Sequence, residues 1–530
     1  MKQRQNKKKK ETPSLFSLAL TFNICKTILS KHYVSLKQRS FPLMNVPGFP
    51  PLSERFPSSA LTFAGTLPID RFAEKASRLS IGCETLDRDY WDFDRGFEGL
   101  KELSPGWARI QSGWDKCEKT PGVYDFEWLD HIVDKLCSVN IRPWMCVCFG
   151  NRALYGPEPH IRTSPYALTP EIAASWERYL ETLAARYKGK VDHFEIWNEP
   201  DLCWGGESDS IVRYAELVKG SAAALRRGNK EIFILGGSVA CGIRNSLRYN
   251  GFALADQFFS LGVKEYINGY TYHAYDVFPE MVQTPEVAAF KRVLKKHGLE
   301  NMPCWQGEGG CPAKWQKDNA LSKHPWDEVK QARHLLRNML CDLRNGAEVT
   351  SYFMLSDFTY HYADGTLGPC HYGLLAHPDY RKRPCFYAYQ SLCQLFRGRV
   401  ELNEELLFSL HKTTPQRQEI PIEESAGIDL LRVSIERFTF TNKEFPLLAW
   451  YRPVNPHVTS ELFLNTMVIE GEKAELFLDP LLLDPVTQEL WRPEKVFKEE
   501  RWGGVRVRIV DLPTADYPLF LIPAEFAARR

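Results

Sequence analysis

The chain has 530 residues, of which 44% are hydrophobic and 25% charged, the composition of a water-soluble globular protein larger than one ordinary domain. Its formal net charge is +1, which argues against an electrostatic nucleic-acid binder, since such a protein carries a basic surplus. Aromatic residues make up 13% of the chain, with 14 Trp and 22 Tyr; most rings belong in a core, but carbohydrate sites also use aromatic faces.

The N-terminus is a Lys/Arg/Gln/Asn run over residues 2–10, then an apolar stretch from Leu15 to Leu29 broken by Asn23 and Lys26. It is too polar for a membrane span and has no small-residue cleavage site after it. Residues 1–43 read as disordered or outside the native start, with Met44 opening more ordinary sequence, and residues 44–75 as an extended lead-in. The 14 cysteines form no C-x-x-C pair, so neither a zinc knuckle nor a compact disulfide framework is expected. Many unpaired thiols suggest a reducing, cytoplasmic location. Cys146 and Cys148 alternate on one strand and read as small buried hydrophobes.

From residue 76 short apolar runs alternate with amphipathic stretches. Leu79–Cys83 reads as a first strand, followed by a helix over Phe97–Leu103. Trp107–Gln111 is a second strand. Asp125 can cap a helix reaching Leu136, with Trp128, Leu129, Ile132, Val133 and Leu136 at helical spacing. Strand three is Pro143–Phe149; a helix then opens on Pro170 and runs to Tyr187. Strand four is His193–Trp197, and a helix covers Ile211–Leu225. Strand five is Ile232–Leu235, ended by Gly236-Gly237. A helix over Ala253–Leu261 leads to strand six, Gly269–Tyr275. Another, from Pro285 to His297, leads to strand seven, Pro303–Gly307. A long helix over Trp326–Arg344, strand eight at Val349–Leu355 and a closing helix over Pro384–Phe396 complete the series.

Eight strand–helix pairs predict a (β/α)8 barrel over residues 76–400. The competing architecture, an open doubly wound sheet, would usually carry G-x-G-x-x-G after its first strand, and the sequence has none there. After residue 400 only short β-type runs remain: Ile428–Val433, Leu447–Trp450, Glu461–Leu464, Val505–Val510 and Tyr517–Ile522. Turn residues such as Arg452-Pro453-Val454-Asn455-Pro456 and Gly503-Gly504 separate them. Residues 401–530 therefore read as a C-terminal all-β sandwich, to which the stretch before residue 70 can add a strand.

Catalytic groups in such barrels sit where strands end. Strand four finishes Ile196-Trp197-Asn198-Glu199-Pro200 and strand seven finishes Trp305-Gln306-Gly307-Glu308-Gly309-Gly310. The two lie on opposing sides of a barrel, so Glu199 and Glu308 can face each other across its mouth. A carboxyl pair about 5–5.5 Å apart is what a retaining glycosidase needs. A lone Glu at a strand end is otherwise a structural ion pair. The aromatic side chains Trp114 and Trp305, close to strands two and seven, are expected as sugar platforms.

The Trp-Asn-Glu-Pro segment at strand four resembles clan A of the glycoside hydrolases, and residues 78–400 with the all-β tail look like its β-xylosidase and α-L-iduronidase family. The resemblance implies Glu199 as acid/base, Glu308 as nucleophile and Asn198 as a ligand of the sugar 2-hydroxyl. It further implies Arg109 on strand two beside the nucleophile, and His273 and Tyr275 on strand six near the site, the tyrosine orienting the nucleophile. It implies no cofactor and no metal, and a glycoside or oligosaccharide substrate, with no nucleic acid or membrane as partner and the oligomeric state left open.

Two departures stand out. Strand eight runs Phe353-Met354-Leu355-Ser356-Asp357-Phe358, without the Trp many clan members place under the first sugar. Gly307 occupies a position where Thr or Ser is usual. Cys203 and Cys311 follow the two glutamates and could, with His273, ligate a metal, but hydrolysis needs none. A transglycosylase using the same intermediate and a carbohydrate-binding barrel without catalysis remain open. A metal- or phosphate-using barrel enzyme lacks its sequence signals.

Overall fold

The structure is a computed structural model, and it describes residues 49, 52–55, 60–156, 160–203, 208–240, 251–361, 365–403, 405–412, 435–457, 463–501 and 504–529. The N-terminal extension expected over 1–43 and the strand expected at Ile428–Val433 lie outside those residues.

Eight parallel strands close into a barrel: β1 (Leu79–Gly82), β2 (Trp107–Gln111), β3 (Arg142–Val147), β4 (His193–Ile196), β5 (Phe233–Val239), β6 (Gly269–His273), β7 (Cys304–Gly309) and β8 (Val349–Tyr352). Pairing of Leu79 with Thr350 and Ile81 with Tyr352 joins the last strand to the first. The strands are almost wholly buried, as a sheet covered by helices on one side and filled by side chains on the other must be. The helices between them are amphipathic. In Glu127–Ser138 the buried positions are Leu129, Ile132, Val133 and Leu136, one face at a 3–4 residue interval. Capping follows the expected chemistry: Asp92, Thr169 and Asp327 each accept a hydrogen bond from a first-turn N–H.

Two boundaries differ from the sequence reading. β5 does not stop at Gly236-Gly237 but runs through them to Val239. Gly237 has φ +103°, and a Cβ there would lie 2.4 Å from the Thr271 carbonyl oxygen, so the glycine serves close strand approach beside a bulge. The helix expected from Pro285 begins at Pro279, and Pro285 lies inside it.

The remaining strands form two antiparallel sheets. One has seven strands in the order Leu61–Thr66, Glu489–Pro493, Pro480–Asp484, Leu519–Pro523, Phe445–Tyr451, Glu436–Asn442 and Val400–Leu402. The other has four, in the order Leu407–Lys412, Phe463–Glu470, Gly504–Thr514 and Val496–Arg501. The fold is thus a (β/α)8 barrel followed by a β-sandwich. The two sheets are tied where the Trp450 indole N–H donates to the Pro513 carbonyl at 3.0 Å. The sandwich meets the barrel through the helix Glu328–Arg344. There the buried Arg337 binds Glu280 with two hydrogen bonds and donates a third to the Val454 carbonyl. Among the described residues no helix is long and apolar enough to cross a membrane. The twelve described cysteines are all free thiols.

Candidate active site

The C-terminal ends of β1, β2, β4, β6 and β7 converge on one charged cluster. Its centre is Arg109, the third residue of β2, whose side chain is completely buried inside the barrel. The guanidinium uses its whole fork. Nε donates to Glu195 at 2.7 Å, Nη1 to Glu84 at 3.0 Å and to Glu308 at 3.1 Å, and Nη2 to Asn198 at 2.8 Å. A buried guanidinium survives only with such pairing. Burial alone would lower its pKa; the carboxylates outweigh that and hold it well above the usual value.

Glu308 projects from β7 and is held from two sides. Arg109 binds one carboxyl oxygen, and the Tyr275 hydroxyl donates to the other at 2.6 Å. Glu199 lies just past β4, on a turn in which Trp197 and Glu199 both take left-handed conformations, with φ +68° and +50°. Such backbone is costly for non-glycine residues and persists where its surroundings fix it. Here the Glu199 N–H donates to the Ser238 carbonyl at 2.8 Å. The carboxylate meets His273 Nδ1 at 3.0 Å, and the same nitrogen lies 3.7 Å from Glu308. One ligand atom from each of Glu199, His273 and Glu308 lies within 4.8 Å of the others. Both glutamates keep partial access to solvent, 20% for Glu199 and 12% for Glu308, while His273 has none.

The electrostatics bind His273 and Glu199 into one proton-sharing pair. Burial works against the charged form of each. The nearby Glu308 and Glu199 carboxylates nevertheless raise the His273 pKa, and the imidazole's hydrogen bond and charge, aided by Arg162 and Arg109, lower that of Glu199. Tyr275 is pushed far up by burial and by Glu308, so it remains a hydrogen-bond donor.

Arg109, Asn198, Glu199, His273, Tyr275 and Glu308 therefore meet in one place. Trp114 and Trp305 do not, and the expectation that they are sugar platforms is corrected. Trp114 is fully buried outside the barrel wall, packed on Trp176 and Tyr179, with its indole N–H on Glu118. Trp305 is the second residue of β7 and packs with Trp107, Trp144, Leu235 and Val349. Trp107 and Val349 open their strands, so this cluster plugs the barrel's N-terminal end, opposite the glutamates. An aromatic residue early in a strand fills the floor; only one at the strand's end reaches the mouth.

Sequence reasoning passed over Glu84, two residues beyond β1, and Glu195 inside β4, both buried and bound to Arg109. The available signal was a carboxylate at the end of, or inside, an otherwise apolar strand. Gly307 also has a local cause: a Cβ there would lie 2.5 Å from Thr271 Oγ1. Glu199, His273 and Glu308 form the only cluster among the described residues compact enough for a metal ion, and it includes neither Cys203 nor Cys311. Each of its members already has a protein partner.

No family model matches the chain. Solved structures do. A family 39 glycoside hydrolase from the gut symbiont Bacteroides cellulosilyticus WH2 aligns over 86% of this chain and 83% of its own, with a TM-score of 0.59 and 16% identity. A family 39 β-xylosidase from Caulobacter crescentus aligns over 87% and 97%, with a TM-score of 0.51 and 16% identity. A family 39 enzyme from Xanthomonas axonopodis pv. citri aligns over 90% and 99%, with a TM-score of 0.51 and 17% identity. The chain shares their fold over most of its length.

Proposed function

We propose that the protein is a retaining glycoside hydrolase that cleaves β-type glycosidic bonds through a covalent glycosyl-enzyme. The observation that carries this reading is the pair of glutamates at the ends of opposing strands β4 and β7. Their nearest oxygens lie within 4.8 Å, and each has a different set of partners. That spacing suits direct attack on the sugar and leaves no room for the water an inverting enzyme places between its carboxyls.

The partners divide the labour. Arg109 and Tyr275 hold Glu308 as an oriented anion, suited to attack the anomeric carbon. Glu199 is hydrogen-bonded through its carboxylate to His273 and keeps the larger solvent opening, where a leaving group can depart. In the free site its proton rests toward His273. A bound sugar strips water from Glu199, which favours its neutral form, and the proton needs only to cross the 3.0 Å hydrogen bond. Glu199 then protonates the leaving oxygen and in the second step deprotonates water. Asn198, held by Arg109, would bind the sugar 2-hydroxyl. The fold shared with family 39 structures supports the same reading.

Product stereochemistry tests it. Proton NMR of an aryl β-glycoside digest should show the β-anomer of the free sugar first, before mutarotation. An α-anomer appearing first would overturn the retaining assignment. The free thiols support a reducing, cytoplasmic location. Ellman titration of unreduced, unfolded protein should find most of the 14 cysteines reactive, whereas a largely oxidised set would contradict that location.

A further inference from the structure

The proposed chemistry uses two glutamates, yet four surround Arg109 and His273. Glu195 lies deepest, held by Arg109 Nε and by the Ser238 hydroxyl at 2.8 Å. Glu84 is different. It is buried, shares the same Arg109 Nη1 with Glu308, and among the described residues its second carboxyl oxygen has no hydrogen-bond partner. That oxygen is packed against Gly82, where a Cβ would fall 2.3 Å away. A fully ionised carboxylate with a bare buried oxygen costs more than a neutral acid in the same place.

Resting on the retaining reading above, we infer that Glu84 is a positioning residue for the nucleophile: as a neutral acid it leaves the Arg109 charge to Glu308, and as a carboxylate it competes for that charge. The charged and titratable groups facing it are Arg109 from β2, Glu308 from β7 and Cys83 beside it in the chain, with Glu195 across Arg109. Burial and the Glu308 charge push its carboxyl up to about 7, against the pull of Arg109. Glu84 thus changes charge near pH 7. Above that range the cluster gains a negative charge, which helps the Glu199–His273 pair keep its proton.

Glu84→Gln freezes the neutral state. The acid limb of the kcat/KM profile, where Glu84 is neutral already, should then stay within about 0.2 pH units. The alkaline limb should move to lower pH by about one pH unit, the scale of one charge acting across a partly shielded interior. Glu84→Leu should shift the same limb, because charge and not the hydrogen bond is at issue. An acid limb that moves down instead would mean Glu84 is ionised throughout, and unmoved limbs would mean it is only structural; either overturns the inference. Should neither variant fold, carboxyl ¹³C NMR of glutamate-labelled wild type decides. A glutamate signal that titrates near pH 7, persists in Glu199→Gln and shifts when a fluorosugar occupies Glu308 supports the inference, and its absence overturns it. If the fluorosugar labels a residue other than Glu308, the retaining reading itself falls, whatever Glu84 does.

Discussion

Glu308→Gln should lower kcat/KM by about 10³-fold or more while leaving the fold intact. A well-oriented intramolecular nucleophile has an effective concentration of roughly 10⁵–10⁸ M, against about 55 M for water, so removing it costs on the order of 10³–10⁶ in rate. The substitution is nearly isosteric. The Gln carbonyl can still accept from Arg109, and its amide can face Tyr275, whose hydroxyl accepts as well as donates. Arg109 retains Glu84 and Glu195, so no buried cation is orphaned. Thermal unfolding should therefore stay cooperative. A 2-deoxy-2-fluoro glycoside with a dinitrophenolate leaving group should glycosylate only the wild type, and peptide mass spectrometry should find the sugar on Glu308. A label on another residue, or a Gln variant with substantial turnover, would remove Glu308 from the mechanism.

The barrel was legible because its periodicity is local. Each strand is a short apolar run and each helix carries a clean stripe, so all eight strands emerge from the pattern to within a few residues. Errors gathered where tertiary contact overrides local rules. Gly236-Gly237 look like a stop signal, but strand crowding at Thr271 demands glycine within the strand. The sandwich was less legible. Glu489–Pro493 and Val496–Arg501 carry charge at every few positions, and only antiparallel partners make them strands. In the site, Glu199 and Glu308 could be found from the strand ends and the Asn-Glu-Pro segment. The Arg109 cluster could not, because Glu84, Glu195 and Glu308 are brought to it from separate strands. The reading of Trp114 and Trp305 failed for a related reason. Composition shows that indoles are plentiful, but only depth along the strand tells floor from mouth.

Glu199→Ala separates the two steps of the proposed reaction, and its effect should depend on the leaving group. The variant loses the proton donor but keeps Glu308 with its Arg109 and Tyr275 partners. Glycosides with poor leaving groups need that proton and should lose roughly 10²–10⁴-fold in kcat/KM, the usual contribution of general acid catalysis. Dinitrophenyl glycosides need it little in the first step. Their glycosyl-enzyme should form at near-normal rate and then accumulate, since water has no base to activate it, giving a burst followed by slow turnover. His273 does not substitute: it is fully buried and lies behind the carboxylate it serves. Azide is anionic already and fits the space the side chain vacates, so it should restore turnover and yield a β-glycosyl azide. An α-azide would make Glu199 the nucleophile or the enzyme inverting. Equal loss on every substrate without rescue would reduce Glu199 to a structural partner of His273, and the division of labour between the two glutamates would have to be redrawn around Glu308 alone.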